Sequence, residues 1–410
     1  MKKILPICLA GGKGQRLAPI STPQCTKPFV TLADGSSLLQ LTLRRIKQSP
    51  LFSHPLIIGA ESERFALLNH ARLAQSSPHA ILLEPMGRNT ALAVASAVAF
   101  LSNTHAGDTV LALLPADHVI EDTGAWEASL ARAARHAQSS GEITLIGMAL
   151  DTASREYGYM QLADAPPDIS SAHTVHQISG FVEKPHNASE LVATGRYLTH
   201  SGQVIATLAA LIASCEQYAP NLWSAALQAT RLGAIDQEFF LLDKTAYEDA
   251  LPIAFDRAIL EKQRRLCAIS SACGWSDIGT VSAFTSYAKE NVSWFKAQPL
   301  RVHRPWGYYD LISATPNSQV KRLYVFPGAR ISMQRHAHRA EHWTIISGIA
   351  NVELDDKTHI LDAGESLVIA QNAWHRLSNY GASLLQIMEV QTGLPDEADI
   401  ERAADDYGRV

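Results

Sequence analysis

Between residue 4 and about residue 150, short apolar runs alternate with longer stretches of helical periodicity; the runs fall at 4–9, 56–59, 81–83, 110–114 and 143–146. Uninterrupted apolar runs separated by helices predict strands of a sheet that is largely parallel and covered on both faces. Ligands of such a sheet bind at the carboxyl ends of its strands. From 150 to 290 the pattern is mixed, with a strand expected at 174–182 and helices near 189–197, 208–218 and 255–262. From 301 to 391 helical periodicity all but vanishes, and short strands are punctuated by Pro-Gly, Ser-Gly and Ala-Gly turns. This predicts a compact all-β unit, closed by a polar tail over 395–406 that reads as helical. The expected boundaries are 1–290 for an α/β domain, 291–303 for a short linker and 304–410 for the β domain.

A chain of 410 residues exceeds what one hydrophobic core usually organises, so two domains also follow from length. A net charge of -5 supplies no basic field for nucleic acid or an anionic membrane, so any phosphate site must be local. The apolar stretch 91–101 has about half the ~20 residues of a bilayer-spanning helix and reads as a buried helix. The opening residues run at once into glycines, which leaves too short an apolar core for a secretory leader and reads as a first strand. Five cysteines, odd in number and without a C-x-x-C pair, argue against a disulfide framework and a zinc knuckle. A cytoplasmic location is therefore expected.

The first strand leads directly into Gly11-Gly12-Lys13-Gly14-Gln15-Arg16-Leu17. Amide groups converging at a strand end can cradle phosphate, and Lys13, Arg16 and Lys27 can neutralise charge on a transferring phosphoryl group. By itself the loop matches neither the Walker motif nor the dinucleotide fingerprint. Five further stretches follow it in order: Leu83-Glu84-Pro85-Met86-Gly87-Arg88-Asn89-Thr90, Leu114-Pro115-Ala116-Asp117-His118, Tyr157-Gly158-Tyr159, Phe181-Val182-Glu183-Lys184-Pro185 and Gly274-Trp275-Ser276-Asp277-Ile278-Gly279. The ordered set resembles the mannose-1-phosphate guanylyltransferase family of sugar-nucleotide synthesising enzymes.

That resemblance implies an α/β nucleotidyltransferase domain with a Rossmann-like, mostly parallel mixed sheet. Gly11, Gly12, Gly14, Arg16 and Lys27 would bind the triphosphate of GTP, with Glu84, Arg88 and Asn89 near the guanosine. Asp117 and Asp277 would hold Mg²⁺, Gly158, Glu183 and Ser201 would face the sugar, and Lys184 would hold the phosphate of mannose 1-phosphate. Arg16, Lys27 and Lys184 are thus the expected catalytic cations. The sugar phosphate is already a nucleophile, so positioning and charge neutralisation suffice. Asp117 and His118 also admit a plain reading as caps of the next helix. The chain departs from the family at Gln15, usually Thr, and at Thr199-His200-Ser201-Gly202, usually Trp-Asn-Ser-Gly.

In the second domain His336-Ala337-His338, if it lies on a strand, puts both imidazoles on one face. With Glu341 before Gly348, and His375 between Gly364 and Asn379, the spacing resembles the cupin, a jelly-roll barrel that gathers three histidines and a glutamate round one ion. Such donors suit Zn²⁺ or another divalent transition metal, Fe²⁺, Co²⁺ or Mn²⁺. His342 competes with Glu341 for the carboxylate position, and Glu341 is favoured by its distance to Gly348. Arg304-Pro305-Trp306-Gly307, the block 334–343 and Glu389-Val390-Gln391-Thr392-Gly393 resemble the type II mannose-6-phosphate isomerase domain that follows the guanylyltransferase in bifunctional enzymes.

Isomerisation of mannose 6-phosphate and fructose 6-phosphate needs a base, for which Glu341, His342 and Glu389 are unranked candidates, and an electrophile, which the metal supplies. Lys321, Arg330 and Arg339 are candidates for the 6-phosphate or the enediolate. The joint between the two motif sets, 282–303, is shorter than in the bifunctional family. Oligomeric state is therefore not carried over from it, and a homodimer stays open. The leading expectation is a bifunctional enzyme. Its alternatives are an isomerase with a degenerate transferase half and a non-catalytic sensor of sugar nucleotides.

Overall fold

The strand Leu5–Leu9 is apolar throughout and lies parallel between Leu56–Ala60 and Val110–Pro115. Its side chains alternate between two cores: Leu5 and Ile7 join the one that contains helix Asn89–Ser102, while Cys8 joins the one that contains helices Leu38–Gln48 and Thr123–Ser140. A strand with both faces buried has no position for a polar side chain, which explains the uninterrupted apolar runs. The computed structural model describes residues 2–12, 17, 21, 25–32, 35–149, 153–154, 157–164, 174–279, 284, 300–396 and 398–408. It divides into two compact units, Met1–Trp294 and Phe295–Val410.

The first unit carries one mixed sheet of eleven strands. Its parallel block runs Phe239–Leu241, Ala80–Glu84, Leu56–Ala60, Leu5–Leu9, Val110–Pro115. The long strand Tyr197–Thr207 then intervenes antiparallel between Val110–Pro115 and Ile143–Met148, and with its first residues also pairs Gly158–Leu162. The apolar pattern predicted no strand there: His200, Ser201 and Gly202 interrupt its run, and the register shifts at that point between Leu145 and Gly147. The helix expected at 189–197 ends at Ala193, and that expected over 255–262 divides into Phe255–Ala258 and a 3₁₀ turn, Leu260–Lys262. Among the described residues no helix is long and apolar enough to cross a membrane.

Helix Leu38–Gln48 begins with a reciprocal capping box between Ser37 and Gln40, and helix Thr123–Ser140 with the Asp122 carboxylate on the Ala125 amide at 2.9 Å. Asp122 thus fills the capping role that the sequence also allowed for Asp117. A two-residue ribbon, Val119–Ile120 against Trp275–Ser276, brings the chain after Trp275 back beside Asp117.

The second unit is two antiparallel sheets of six and five strands around a core that includes Trp343, Ile345, Val352 and Leu377. Strand Leu300–Arg304 begins inside the segment read as a linker and pairs with Gly307–Thr315. At Gly307 (φ 152°) a Cβ would lie 1.9 Å from the Tyr324 carbonyl oxygen, so only glycine permits this hairpin. The tail is not the helix expected: Glu401–Ala404 is a strand on the edge of Met333–Arg335. Its charged residues pair across that edge, Arg335 with Glu401 at 2.8 Å, and a short polar segment gains more from ladder hydrogen bonds than from an isolated helix.

Candidate functional site

In the first unit the carboxyl ends of Leu5–Leu9 and Val110–Pro115 are tied together where the Ala116 amide donates to the Leu9 carbonyl. Gly11 and Gly12 (φ 111°) follow the first of these ends. Lys13, Gly14, Gln15 and Arg16 lie outside the described residues, so the roles expected of Gly14 and Arg16 have no structural counterpart here. Lys27 opens a 3₁₀ turn whose side chains are buried, and its ammonium lies 2.9 Å from Asp117 Oδ2 and donates to the Asp277 carbonyl. The Asp277 carboxylate accepts from the Tyr157 hydroxyl and from the Gly279 amide, both at 3.1 Å. The Asp117 carboxylate and the Asp277 backbone carbonyl, far apart in sequence, therefore meet at one buried cation. The hard carboxylate oxygens of the two aspartates suit Mg²⁺, which keeps several waters and shares its remaining positions with phosphate.

Beside them His118 accepts from the Trp275 indole at 3.1 Å, and burial pushes its pKa down to about 4, so it is neutral. Glu84 ends strand Ala80–Glu84 in a buried position and accepts from the Tyr247 hydroxyl at 2.9 Å. Burial, reinforced by Glu63, lifts its carboxyl to about 7. Its other oxygen would be 3.8 Å from a Cβ at Gly11, which places the acid under the glycine loop. Arg88 donates to the carbonyls of Tyr247 and Glu248, which fixes the start of helix Asn89–Ser102. Asn89 is exposed there at φ 63° and caps the Thr90 amide. Tyr247 had no motif to mark it.

Gly158 sits opposite Glu183 in the Gly158–Leu162 and Val175–Glu183 pair, and a Cβ on it would be 2.7 Å from Glu183 Oε2. Lys184 (φ 49°) donates to Glu183 at 2.6 Å. His200 lies 3.3 Å from Asp256; burial opposes the Asp256 charge, but the hydrogen bond and charge of His200, the Asp256 backbone amide and Lys184 together hold the carboxyl below its ordinary range. Ser201 corrects the sequence reading. Its hydroxyl is buried, donates to the Ile146 carbonyl at 2.8 Å and accepts the Gln203 amide, because at the register shift it stands in for a lost ladder bond.

In the second unit His336, Glu341 and His375 converge: His336 Nε2 is 3.3 Å from Glu341 Oε1, and His375 Nε2 is 3.6 Å from Oε2. His336 Nδ1 faces the Asp399 carbonyl and His375 Nδ1 the Ala373 carbonyl at 3.0 Å. A carbonyl only accepts, so both Nδ1 atoms carry the proton and both Nε2 lone pairs face the cluster. Burial pushes His336 down to about 4 and His375 down likewise, with Arg339 adding to both. Neutral imidazoles with fixed tautomers beside a carboxylate fit a divalent transition metal.

His338 is not brought into this cluster. Strand Met333–Arg335 ends before the histidines, so the alternation that would place them on one face does not apply, and His338 is exposed against Asp399. Gln334, on that strand, is brought to the cluster instead: its side-chain nitrogen lies 3.4 Å from His336 Nε2 and 3.5 Å from His375 Nε2. Its Oε1 accepts from the Ser332 hydroxyl at 2.9 Å, and with the amide turned about that oxygen would face the cluster.

On strand Arg339–Ser347 Glu341 faces inward and His342 outward. Strands Ser318–Val325 and Leu385–Gly393 add Lys321, Glu389 and Gln391 to the interior. Trp343 Nε1 donates to Glu389 at 2.9 Å and to Glu341 at 3.2 Å; the Gln391 amide donates to the same two at 2.8 and 3.2 Å. Burial, and then the adjacent Glu341, raise Glu389 to about 7. Arg339 donates to Glu341 at 3.1 Å, whereas Arg330 is held at the tail by Asp406.

The nucleotidyl transferase family matches residues 5–293 and the mannose-6-phosphate isomerase C-terminal family residues 293–405. The chain is 32% identical to the alginate biosynthesis protein AlgA of Pseudomonas aeruginosa, over 99% of this chain and 97% of that protein. It is 32% identical to the xanthan biosynthesis protein XanB of Xanthomonas campestris pv. campestris, over the whole of both, and 30% identical to a mannose-1-phosphate guanylyltransferase of Escherichia coli, over 100% and 99%. Among solved structures, one described as a mannose-1-phosphate geranyltransferase from Thermus thermophilus covers 68% of this chain and 76% of its own at 28% identity and a TM-score of 0.57. A mannose-6-phosphate isomerase from Helicobacter pylori, at 22% identity and a TM-score of 0.55, covers 67% of this chain and 99% of its own and shares the fold. The chain belongs to the bifunctional mannose-1-phosphate guanylyltransferase family, in which a nucleotidyltransferase domain precedes a mannose-6-phosphate isomerase C-terminal domain.

Proposed function

We propose that the first unit makes GDP-mannose from GTP and mannose 1-phosphate, and that the second interconverts mannose 6-phosphate and fructose 6-phosphate. The observation that carries the first activity is the buried ammonium of Lys27, paired with the Asp117 carboxylate and bonded to the Asp277 backbone carbonyl. A phosphate oxygen of mannose 1-phosphate attacks the α-phosphorus of GTP, the new O–P bond forms as the α–β bridge breaks, and pyrophosphate leaves. Lys27 neutralises charge that builds on the triphosphate, Gly11 and Gly12 let the backbone approach it, and Glu84 accepts from the base. Mg²⁺, held by Asp117 and Asp277, supplies further charge neutralisation when bound. Glu183 orients the sugar while Lys184 meets its phosphate.

A second observation favours the isomerase. Glu389, a carboxyl poised near neutrality, shares the Trp343 and Gln391 donors with Glu341. A base of that pKa suits removal of the proton at C2 of mannose 6-phosphate and its return at C1. A transition metal held by His336, Glu341, His375 and Gln334 polarises the reacting oxygens when bound, and Lys321 and Arg339 lie where negative charge develops. Pyrophosphate release from GTP and mannose 1-phosphate tests the first activity. Coupled detection of fructose 6-phosphate from mannose 6-phosphate, with and without a chelator, tests the second. No pyrophosphate release with well-folded protein would sink the transferase reading, and chelator-resistant isomerisation the metal role.

A further inference from the structure

The sheet of the first unit has a second cluster at the end opposite the glycine loop. Strands Ile143–Met148 and Leu266–Ser271 run parallel, so Glu142, just before the one, and Cys267, second in the other, lie side by side at their amino ends. His136, in the last turns of helix Thr123–Ser140, reaches the same point. Its Nε2 is 3.2 Å from Cys267 Sγ and 3.3 Å from Glu142 Oε2, and Sγ is 2.9 Å from that oxygen. Glu142 and Cys267 are buried.

Around them, Gln177 donates to Sγ at 3.1 Å and to Oε2 at 3.3 Å, while Arg265 pairs with the other carboxylate oxygen. Donors on a tetrahedral ion with bonds of about 2.0–2.3 Å lie roughly 3.3–3.7 Å apart. The three atoms here form a triangle only a few tenths of an ångström tighter than that, so small outward shifts admit an ion.

We propose that His136, Glu142 and Cys267 bind Zn²⁺ or a comparably thiophilic divalent cation, with water or the Gln177 amide oxygen in the fourth position. Nitrogen, sulfur and carboxylate oxygen are the donor set of borderline-soft ions and not of Mg²⁺. Thiolate and carboxylate together cancel the charge of the cation, and Arg265 holds the carboxylate in place as an outer partner. Without an ion the thiol proton is donated to Glu142; uptake breaks the S–H bond, forms the S–metal bond and releases the proton to solvent. The ion then clips the end of one helix to the starts of two strands. This site shares no residue with the clusters described around Lys27 and around Glu341.

Loss of the signal in a Cys267 variant gives the test its selectivity. Co²⁺ is titrated into chelator-stripped, reduced full-length protein while the near-ultraviolet thiolate-to-cobalt charge-transfer absorption is followed. The expected result is a band whose amplitude corresponds to one thiolate-bound ion per chain, with further Co²⁺ taken up at the second unit without adding to it; the band is displaced by Zn²⁺, disappears in Cys267→Ser and needs at least tenfold more Co²⁺ in His136→Ala. Both variants are expected to keep pyrophosphate release and isomerisation. Absence of the band in the unaltered protein, or its persistence in Cys267→Ser, overturns the proposal. Should Cys267→Ser fail to fold, His136→Ala, altered at a half-buried helix position, decides: unchanged Co²⁺ affinity overturns the site.

Discussion

The ammonium of Lys27 lies 2.9 Å from Oδ2 of Asp117 in surroundings that exclude most water, Lys27 at the start of a 3₁₀ turn and Asp117 just after strand Val110–Pro115. Removing the cation leaves Asp117 and a bound triphosphate without a counter-charge. Lys27→Ala is therefore expected to lower kcat for pyrophosphate release by about 10²- to 10³-fold, the usual cost of one donor of this kind. Isomerisation by the same sample should be unchanged. Transfer at the unaltered rate would show that Lys27 does not act on the phosphates.

Glu389 lies in full burial beside Glu341, and its carboxyl titrates at about 7. If it is the base, it acts only when ionised, so kcat/KM for isomerisation should rise through pH 7 and fall tenfold per unit on the acid side. Glu389→Gln should lower the rate by about 10²- to 10⁴-fold. Stability moves the other way. A carboxyl raised in the folded state contributes stability below its unfolded pKa near 4.5, and that contribution is lost as pH rises through about 7. At pH 8 the glutamine variant should then melt above the unaltered protein and at pH 4 it should lose that advantage; equal melting at pH 8 would mean that Glu389 is not held in a strained charge state.

The second metal centre separates two histidines that sequence spacing had treated alike. His336→Ala and His375→Ala remove buried Nε2 donors and should abolish metal retention and isomerisation. His338→Ala removes an exposed ring bonded to Asp399 and should keep the rate within about threefold. Gln334→Ala should weaken metal affinity by about 10- to 100-fold. Metal content by elemental analysis, alongside the isomerase rate, decides each case. A His338→Ala protein without metal would place that ring in the coordination sphere.

These histidines show how far the sequence could be read. Strand runs buried on both faces, such as Val110–Pro115, announce themselves because nothing polar is tolerated in them. Tyr197–Thr207 does not, because its ladder is interrupted by side-chain hydrogen bonds and a glycine bend at residues 200–202. Likewise, the same-face rule for alternate residues applies only inside a strand, and the strand before His336 stops at Arg335. Motifs located Asp117 and Asp277, but only the pairing of Val119–Ile120 with Trp275–Ser276 explains why residues so far apart in sequence share one lysine. Tyr247 and Trp343, which fix the Glu84 and Glu389 carboxyls, act through geometry that no spacing encodes.

His200 and Ser201 are neighbours on strand Tyr197–Thr207, yet they lead to opposite predictions. The Ser201 hydroxyl serves the Ile146 carbonyl within the sheet, so Ser201→Ala should leave KM for mannose 1-phosphate within about twofold and cost roughly 1 kcal/mol of stability. His200 Nε2 lies 3.3 Å from an Asp256 oxygen, its ring meets Phe181 edge-on, and its Nδ1 has no hydrogen-bond partner among the described residues. An unpartnered buried nitrogen is costly unless a ligand supplies the missing bond, and a sugar hydroxyl can do so. His200→Phe, which fills the volume without the nitrogen, should therefore raise KM for mannose 1-phosphate by roughly tenfold, about 1.4 kcal/mol, with KM for GTP unchanged. His200→Asn restores a polar amide and should recover part of that loss. If His200→Phe leaves the sugar KM untouched while lowering the melting temperature, the ring serves the fold and the sugar is held by other groups.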